Sequence, residues 1–209
     1  MTSEMRRVGI AGYMGSGKTL VASILSRQEG TFIIDADAVA KQLMNSNAVI
    51  QKELAAAFGG DVIKEKTVVF SLLACRAFRS QEDLVRLNRI VHPLLLLELK
   101  RRVHEHGGRG TILDAALISF WGIEEWFDAL CWVEADFETR FKRLSRKLAL
   151  HPDAIRGRMR LQENLFGRPE GSRWIAVNNN GTIAELERLM ASEECAPLRQ
   201  IISERGKTI

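Results

Sequence analysis

The chain has 209 residues, 46% of them hydrophobic and 27% charged, with a net charge of +4 and three cysteines. Those proportions describe an ordinary soluble core, and no apolar run approaches the ~20 residues that span a bilayer. Cys75, Cys131 and Cys195 show no CxxC spacing, which argues against a disulfide framework or a zinc site and points to a reducing cytoplasm. The slight basicity suits a protein that handles polyanionic small molecules; a plain enzyme surface or weak nucleic-acid contact would look the same.

No apolar signal core opens the chain, and no repeat or Pro/Gly-rich linker divides it, so one domain with insertions is expected. Val8–Ala11 reads as a buried strand, and 18–28 as a helix with an apolar stripe at Val21, Ala22, Ile24 and Leu25. A second strand over 31–34 ends at Asp35, and a helix over 37–44 follows. Ser46 is placed to cap a helix that reaches Phe58 and stops at Gly59-Gly60. A short helix spans 71–79, and Ser80 caps the next, with Asp83 three residues on. Pro93 suits the first turn of a separate helix running to Gly107-Gly108, whose Leu94–Leu97 run implies burial on most sides. Strands over 111–115 and 130–134 come next. Asp136 then caps a basic helix over 137–147, and Pro152 starts another that reaches about 166. A fifth strand over 174–177 and a Thr182-capped helix through about 190 complete the pattern. The residues from Pro197 onward are polar, with no element expected.

Strands alternating with helices predict an α/β fold around a parallel sheet. The two helix-only stretches read as insertions: a substrate-binding subdomain over 46–107 and a lid over 137–170. The core is then 5–45, 108–136 and 171–195.

Gly12-Tyr13-Met14-Gly15-Ser16-Gly17-Lys18-Thr19 matches G-x-x-x-x-G-K-[ST]. A strand precedes it and an amphipathic helix follows, the context in which backbone N–H groups and a helix dipole hold phosphate. Gly12, Met14, Gly15, Ser16, Gly17, Lys18, Thr19 and Leu20 are therefore the candidate nucleotide-binding residues. Lys18 would reach the β/γ-phosphates, and the Thr19 hydroxyl would ligate Mg2+. Alone, this P-loop does not separate kinase from GTPase or motor. No guanine-reading N-K-x-D occurs and the chain is short for a large ATPase, so a small-molecule kinase fits best.

Asp35-Ala36-Asp37 lies at the carboxyl end of the second strand, where ligand crevices open in doubly wound sheets. A carboxylate there accepts a hydroxyl proton or caps the following helix, and Asp37 is open to both readings. Asp114 ends the third strand, a placement suited to holding Mg2+ through water. Ten cationic side chains between 140 and 173 offer transition-state charge, although most such residues lie on solvated faces. His92, beside Pro93, is by spacing alone more often structural. Trp121 and Trp126 flank a short insertion, and packing is favoured for them over an acceptor site.

Gly15–Thr19, Asp35-Ala36-Asp37 with Ala40-Lys41, and Asn88 to Pro93 occur in order. Leu113-Asp114, Arg143, Gln162 and Asn179-Asn180-Gly181 follow them. Over residues 8–190 this chain resembles the dephospho-coenzyme A kinases. The resemblance implies ATP as phosphoryl donor with Mg2+, the ribose 3′-hydroxyl of dephospho-CoA as acceptor, and a five-stranded parallel sheet with a helical CoA subdomain and a lid. It implies Asp37 as base, His92 near the acceptor, Arg143 in the lid, and no nucleic-acid or membrane partner. The chain departs from the pattern in four places. Asp114 to Phe120 lacks the usual Pro and Glu, Arg140 stands where a Gln is usual, Lys147-Leu148 replaces R-D, and Val69-Phe70 replaces D-R. These departures leave room for another small-molecule acceptor (nucleoside, nucleotide or shikimate-like) or for a nucleotide-binding regulator without turnover.

Overall fold

The computed structural model describes residues 6–27, 31–105 and 110–203. The chain divides into two compact units, Met1–Asp35 with Val103–Ile209, and Ala36–Arg102.

The first unit holds the sheet. β1 (Arg7–Ala11) leads through the Gly-rich turn into α1 (Lys18–Leu25), and β2 (Phe32–Asp35) follows. α1 stops at Leu25, short of the expected Gln28, which lies outside the described residues. The second unit opens with α2 (Ala36–Ser46) and α3 (Ala48–Phe58). Asn47, not Ser46, caps α3: its side chain accepts from the N–H groups of Val49 and Ile50, while Ser46 still belongs to α2. A two-stranded hairpin, β3 (Ile63–Lys64) and β4 (Thr67–Val68), turns on Glu65 and Lys66 at positive φ. These strands are too short to show a periodicity, and the sequence reading missed them.

α4 (Phe70–Ala77) and α5 (Gln81–Glu105), the latter through Arg102, complete the second unit. α5 is one helix of 25 residues that runs through Pro93, correcting the expected break. Val91, Leu95, Leu99 and Val103 bury a continuous stripe of spacing four across the proline. That burial outweighs one lost backbone hydrogen bond. The leucine run is not buried all round, since Leu97 is 66% exposed. The expected end at Gly107-Gly108 lies outside the described residues.

Back in the first unit come β5 (Thr111–Asp114), the single turn α6 (Ile118–Trp121) and β6 (Ala129–Glu134). α7 (Phe137–Lys147) and α8 (Pro152–Leu165) form a helical pair, followed by β7 (Trp174–Asn178) and α9 (Ile183–Ala191). Asp136 stands at the N-cap of α7 without a side-chain capping bond, whereas Thr182 and Glu185 form a reciprocal capping box on α9. The chain then forms α10 (Ala196–Ser203), where no element was expected. Leu198 and Ile202 are buried in the main core, each contributing roughly 1.5–3 kcal/mol. The expectation weighed the polar residues and passed over this short apolar spacing.

All five long strands are parallel, in the order β2-β5-β1-β6-β7. Val8, Ile10, Ile112, Cys131, Val133 and Val177 on one sheet face pack against α1, α9 and α10. This places the β1–α1 turn at the carboxyl edge of a central strand, where α/β proteins bind ligands.

Candidate active site

Gly17 starts α1 in the left-handed conformation at φ 99°, and no side chain caps the helix. A helix start without a side-chain cap is an arrangement that favours anions. A Cβ on Gly17 would lie 2.2 Å from Asn179 Nδ2, and one on Gly12 2.4 Å from the Val133 carbonyl oxygen. Both positions require glycine for close backbone approach as well as for positive φ. Lys18 folds back along the turn, with Nζ donating to the Tyr13 carbonyl at 3.4 Å.

The Thr19 hydroxyl donates to Asp114 Oδ2 at 2.7 Å, and Asp114 is 6% exposed. This bond ties α1 to the end of β5. The Ser16 hydroxyl oxygen is buried with no hydrogen-bond partner among the described residues. A buried hydroxyl of this kind beside an uncapped helix start suits an incoming oxyanion. Three of the proposed cradle amides are engaged by the protein itself: Met14 N–H donates to Gln162 Oε1 at 2.6 Å, Ser16 N–H to the Tyr13 carbonyl at 3.2 Å, and Leu20 N–H to the Gly17 carbonyl at 3.0 Å.

The loop after β7 braces the turn from behind. Asn179, 4% exposed, donates through Nδ2 to the Ser16 carbonyl at 2.7 Å. Arg143 on α7 donates to the same carbonyl at 3.2 Å and to the Asn179 carbonyl at 2.8 Å. Burial lowers the Arg143 pKa from its ordinary value. Asn180 Oδ1 accepts from the Asp136 N–H at 2.8 Å, joining this loop to the start of α7. The sequence reading quoted Asn179 and Asn180 only as part of a pattern, and the bracing role was missed because a buried asparagine has no spacing signal.

Part of the cationic pool between 140 and 173 is committed elsewhere. Arg156 pairs with Glu138 at 3.0 Å and lies over the Phe141 ring. Arg168 pairs with Glu134 at 2.7 Å, and Arg173 donates to the Glu124 and Phe127 carbonyls. Arg140 is buried and paired with Glu163. At the departure near Phe120, that ring is 46% exposed and contacts Phe166 at 6.5 Å between centroids.

Asp35 is in register with Asp114 across β2 and β5. Asp37 follows two residues later as the acidic residue of the first turn of α2, in the second unit. His92 lies within α5 of that unit, and burial pushes its pKa down to about 4. Among the described residues, no group of three or more His, Cys, Asp or Glu could hold a metal, so any ion here relies on few protein ligands.

A five-stranded parallel sheet with a glycine cradle opening α1, and a helix pair that contacts the cradle, defines a P-loop kinase. The comparisons identify which kind. The dephospho-CoA kinase family model matches residues 6–185. The dephospho-CoA kinase of Corynebacterium glutamicum is 37% identical over 186 residues, covering 87% of this chain and 92% of that protein. A crystal structure from Thermus thermophilus superposes with a TM-score of 0.66 at 26% identity, covering 88% of this chain and 94% of that one. The dephospho-CoA kinase from Campylobacter jejuni shares the fold at a TM-score of 0.57 and 18% identity, covering 95% and 97%. The chain belongs to the dephospho-CoA kinase family. It is a phosphotransferase acting on a hydroxyl group with ATP as donor, which favours dephospho-CoA over the other acceptors weighed above.

Proposed function

We propose that Gly12, Gly15–Thr19 and the first turn of α1 hold the ATP phosphates, and that Asp37 takes the proton of the acceptor. The 3′-hydroxyl oxygen of dephospho-CoA attacks the γ-phosphorus. The bond to the β,γ-bridging oxygen breaks, ADP leaves, and the hydroxyl proton passes to the Asp37 carboxylate. Lys18 and Arg143 supply positive charge as the phosphoryl group moves, and Met14 and Leu20 line the donor side. His92, kept neutral by burial, fits contact with an uncharged part of the acceptor better than with its phosphates.

The observation that carries this reading is the Thr19–Asp114 bond at the mouth of an uncapped helix start. A hydroxyl and a carboxylate held together there suit one Mg2+ that keeps most of its water, with Thr19 as direct ligand and Asp114 acting through water. Held there, such an ion would supply positive charge for the phosphoryl transfer.

No helix of the described residues is long and apolar enough to cross a membrane, and Cys75 is an exposed free thiol. A reducing cytoplasm is the compartment that keeps such a thiol free, and we place the enzyme there with ATP and dephospho-CoA as its partners, without nucleic acid. The test is ATP consumption with dephospho-CoA, run beside a panel of nucleosides and nucleoside monophosphates. Turnover on dephospho-CoA alone is expected; turnover on a nucleoside with none on dephospho-CoA would overturn the acceptor assignment.

A further inference from the structure

Arg140 is 3% exposed. A buried guanidinium is costly unless it is well partnered. Here Nη2 donates to Glu163 on α8, and Nε donates to the Ala135 carbonyl at 3.0 Å. The guanidinium carbon lies 5.1 Å from the Tyr13 ring centroid and 5.5 Å from that of Phe137. One side chain thus joins α7, α8 and the cradle.

Glu163 is the neighbour of Gln162, whose Oε1 takes the Met14 N–H at 2.6 Å. Three residues beyond Glu163, the Phe166 carbonyl accepts the Tyr13 hydroxyl at 3.2 Å. Met14 also packs against Leu144, Ile155 and Met159, the small core between α7 and α8. Tyr13 and Met14 at the cradle's front are therefore held by α8 and the residue that ends it. Two charged contacts join α7 to α8: the Arg140–Glu163 pair, whose arginine is buried, and the more exposed Arg156–Glu138 pair.

We propose that Arg140 and Glu163 form a positioning pair for nucleotide binding. The pair sets the α7–α8 register that presents Gln162 to Met14 and Phe166 to Tyr13, so the shape of the phosphate cradle depends on it. The inference rests on the reading of Gly12–Thr19 as the ATP site. It concerns affinity for the donor and leaves the acceptor untouched. Glutamine at 140 would hydrogen-bond but could not balance the Glu163 charge or cover the Tyr13 ring.

The experiment compares full-length wild type with Arg140→Gln, Glu163→Gln, the double Arg140→Gln/Glu163→Gln, and Arg140→Lys. It measures ATP Kd by calorimetry, KM for each substrate, kcat and Tm. Each single neutral variant is expected to weaken ATP binding about tenfold, within the range of coupling between contacting residues. The acceptor KM should stay within about twofold, and the double variant should lose less than the product of the singles. Arg140→Lys keeps the charge without the fork, is the variant best placed to stay folded, and should lose about threefold. Variants with lowered Tm and wild-type ATP Kd would overturn the proposal and leave the pair as a purely structural contact. Wild-type protein that fails to bind ATP would overturn the cradle reading, and with it this one.

Discussion

The Thr19 hydroxyl donates to Asp114 Oδ2 at 2.7 Å, linking the first turn of α1 to the last residue of β5. In the Asp114→Ala variant the hydroxyl loses its acceptor, and on the proposed reading the Mg2+ would lose its anchor through water. The Mg2+ concentration for half-maximal rate should rise about 10–100-fold, the cost typical of removing outer-shell partners of a metal. Initial rates against Mg2+ at fixed ATP measure it. An unchanged Mg2+ dependence would remove Asp114 from the ion's environment.

Asp37→Asn keeps shape and removes the basic oxygen. A general base contributes about 10²–10⁴-fold, so kcat should fall by about 100-fold or more with ATP KM nearly unchanged. Steady-state kinetics with ATP and dephospho-CoA decides this, and near-normal kcat would leave Asp37 with only its place in the first turn of α2.

Asn179 is buried and holds the Ser16 carbonyl at 2.7 Å from within the loop after β7. Asn179→Ala removes that donor, and Arg143 remains at 3.2 Å. Loss of a buried hydrogen bond of this kind costs about 1–3 kcal/mol. Urea unfolding should show this loss, and ATP KM should rise as the turn loosens. Stability loss with an unaltered KM would mean that the turn keeps its shape without the brace.

His92 has its pKa pushed down to about 4 by burial, against an ordinary value near 6.5. Between those values the unfolded chain binds the proton and the folded one does not, so stability falls as pH drops from about 6.5 to about 4. Above 6.5 this group adds no pH dependence. His92→Gln should flatten the stability curve across that window by up to one proton's slope. Thermal melts of both proteins in matched buffers test the sign, and identical pH profiles would argue against a buried neutral imidazole.

The cradle was legible in the sequence because a phosphate turn needs glycine at fixed spacing between a strand and a helix. Asp114 was legible for a similar reason, as the end of an apolar run. The 25-residue α5 was not, because Pro93 signals a break locally while the buried stripe on both sides of it holds the helix together. α10 was overlooked for the opposite reason: Leu198 and Ile202 are a weak signal until β1, β6 and α1 give them a surface.

What the sequence determined by itself is the chemistry at the turn. Gly12, Gly15, Gly17, Lys18 and Thr19 specify an anion-binding helix start wherever the chain places it, because backbone freedom and a helix dipole are local properties. What the tertiary structure decided is how that turn is held. The Asn179 and Arg143 contacts to the Ser16 carbonyl, and the Gln162 contact to Met14, cross separations of 127 to 163 residues. Such contacts follow no period. They exist because the parallel sheet carries the end of β7 to the same edge as the end of β1, with β6 between them, and α7 packs on α8. Arg140 shows the difference most clearly: in the sequence it is one cation among ten, and in the fold it is the buried partner of Glu163.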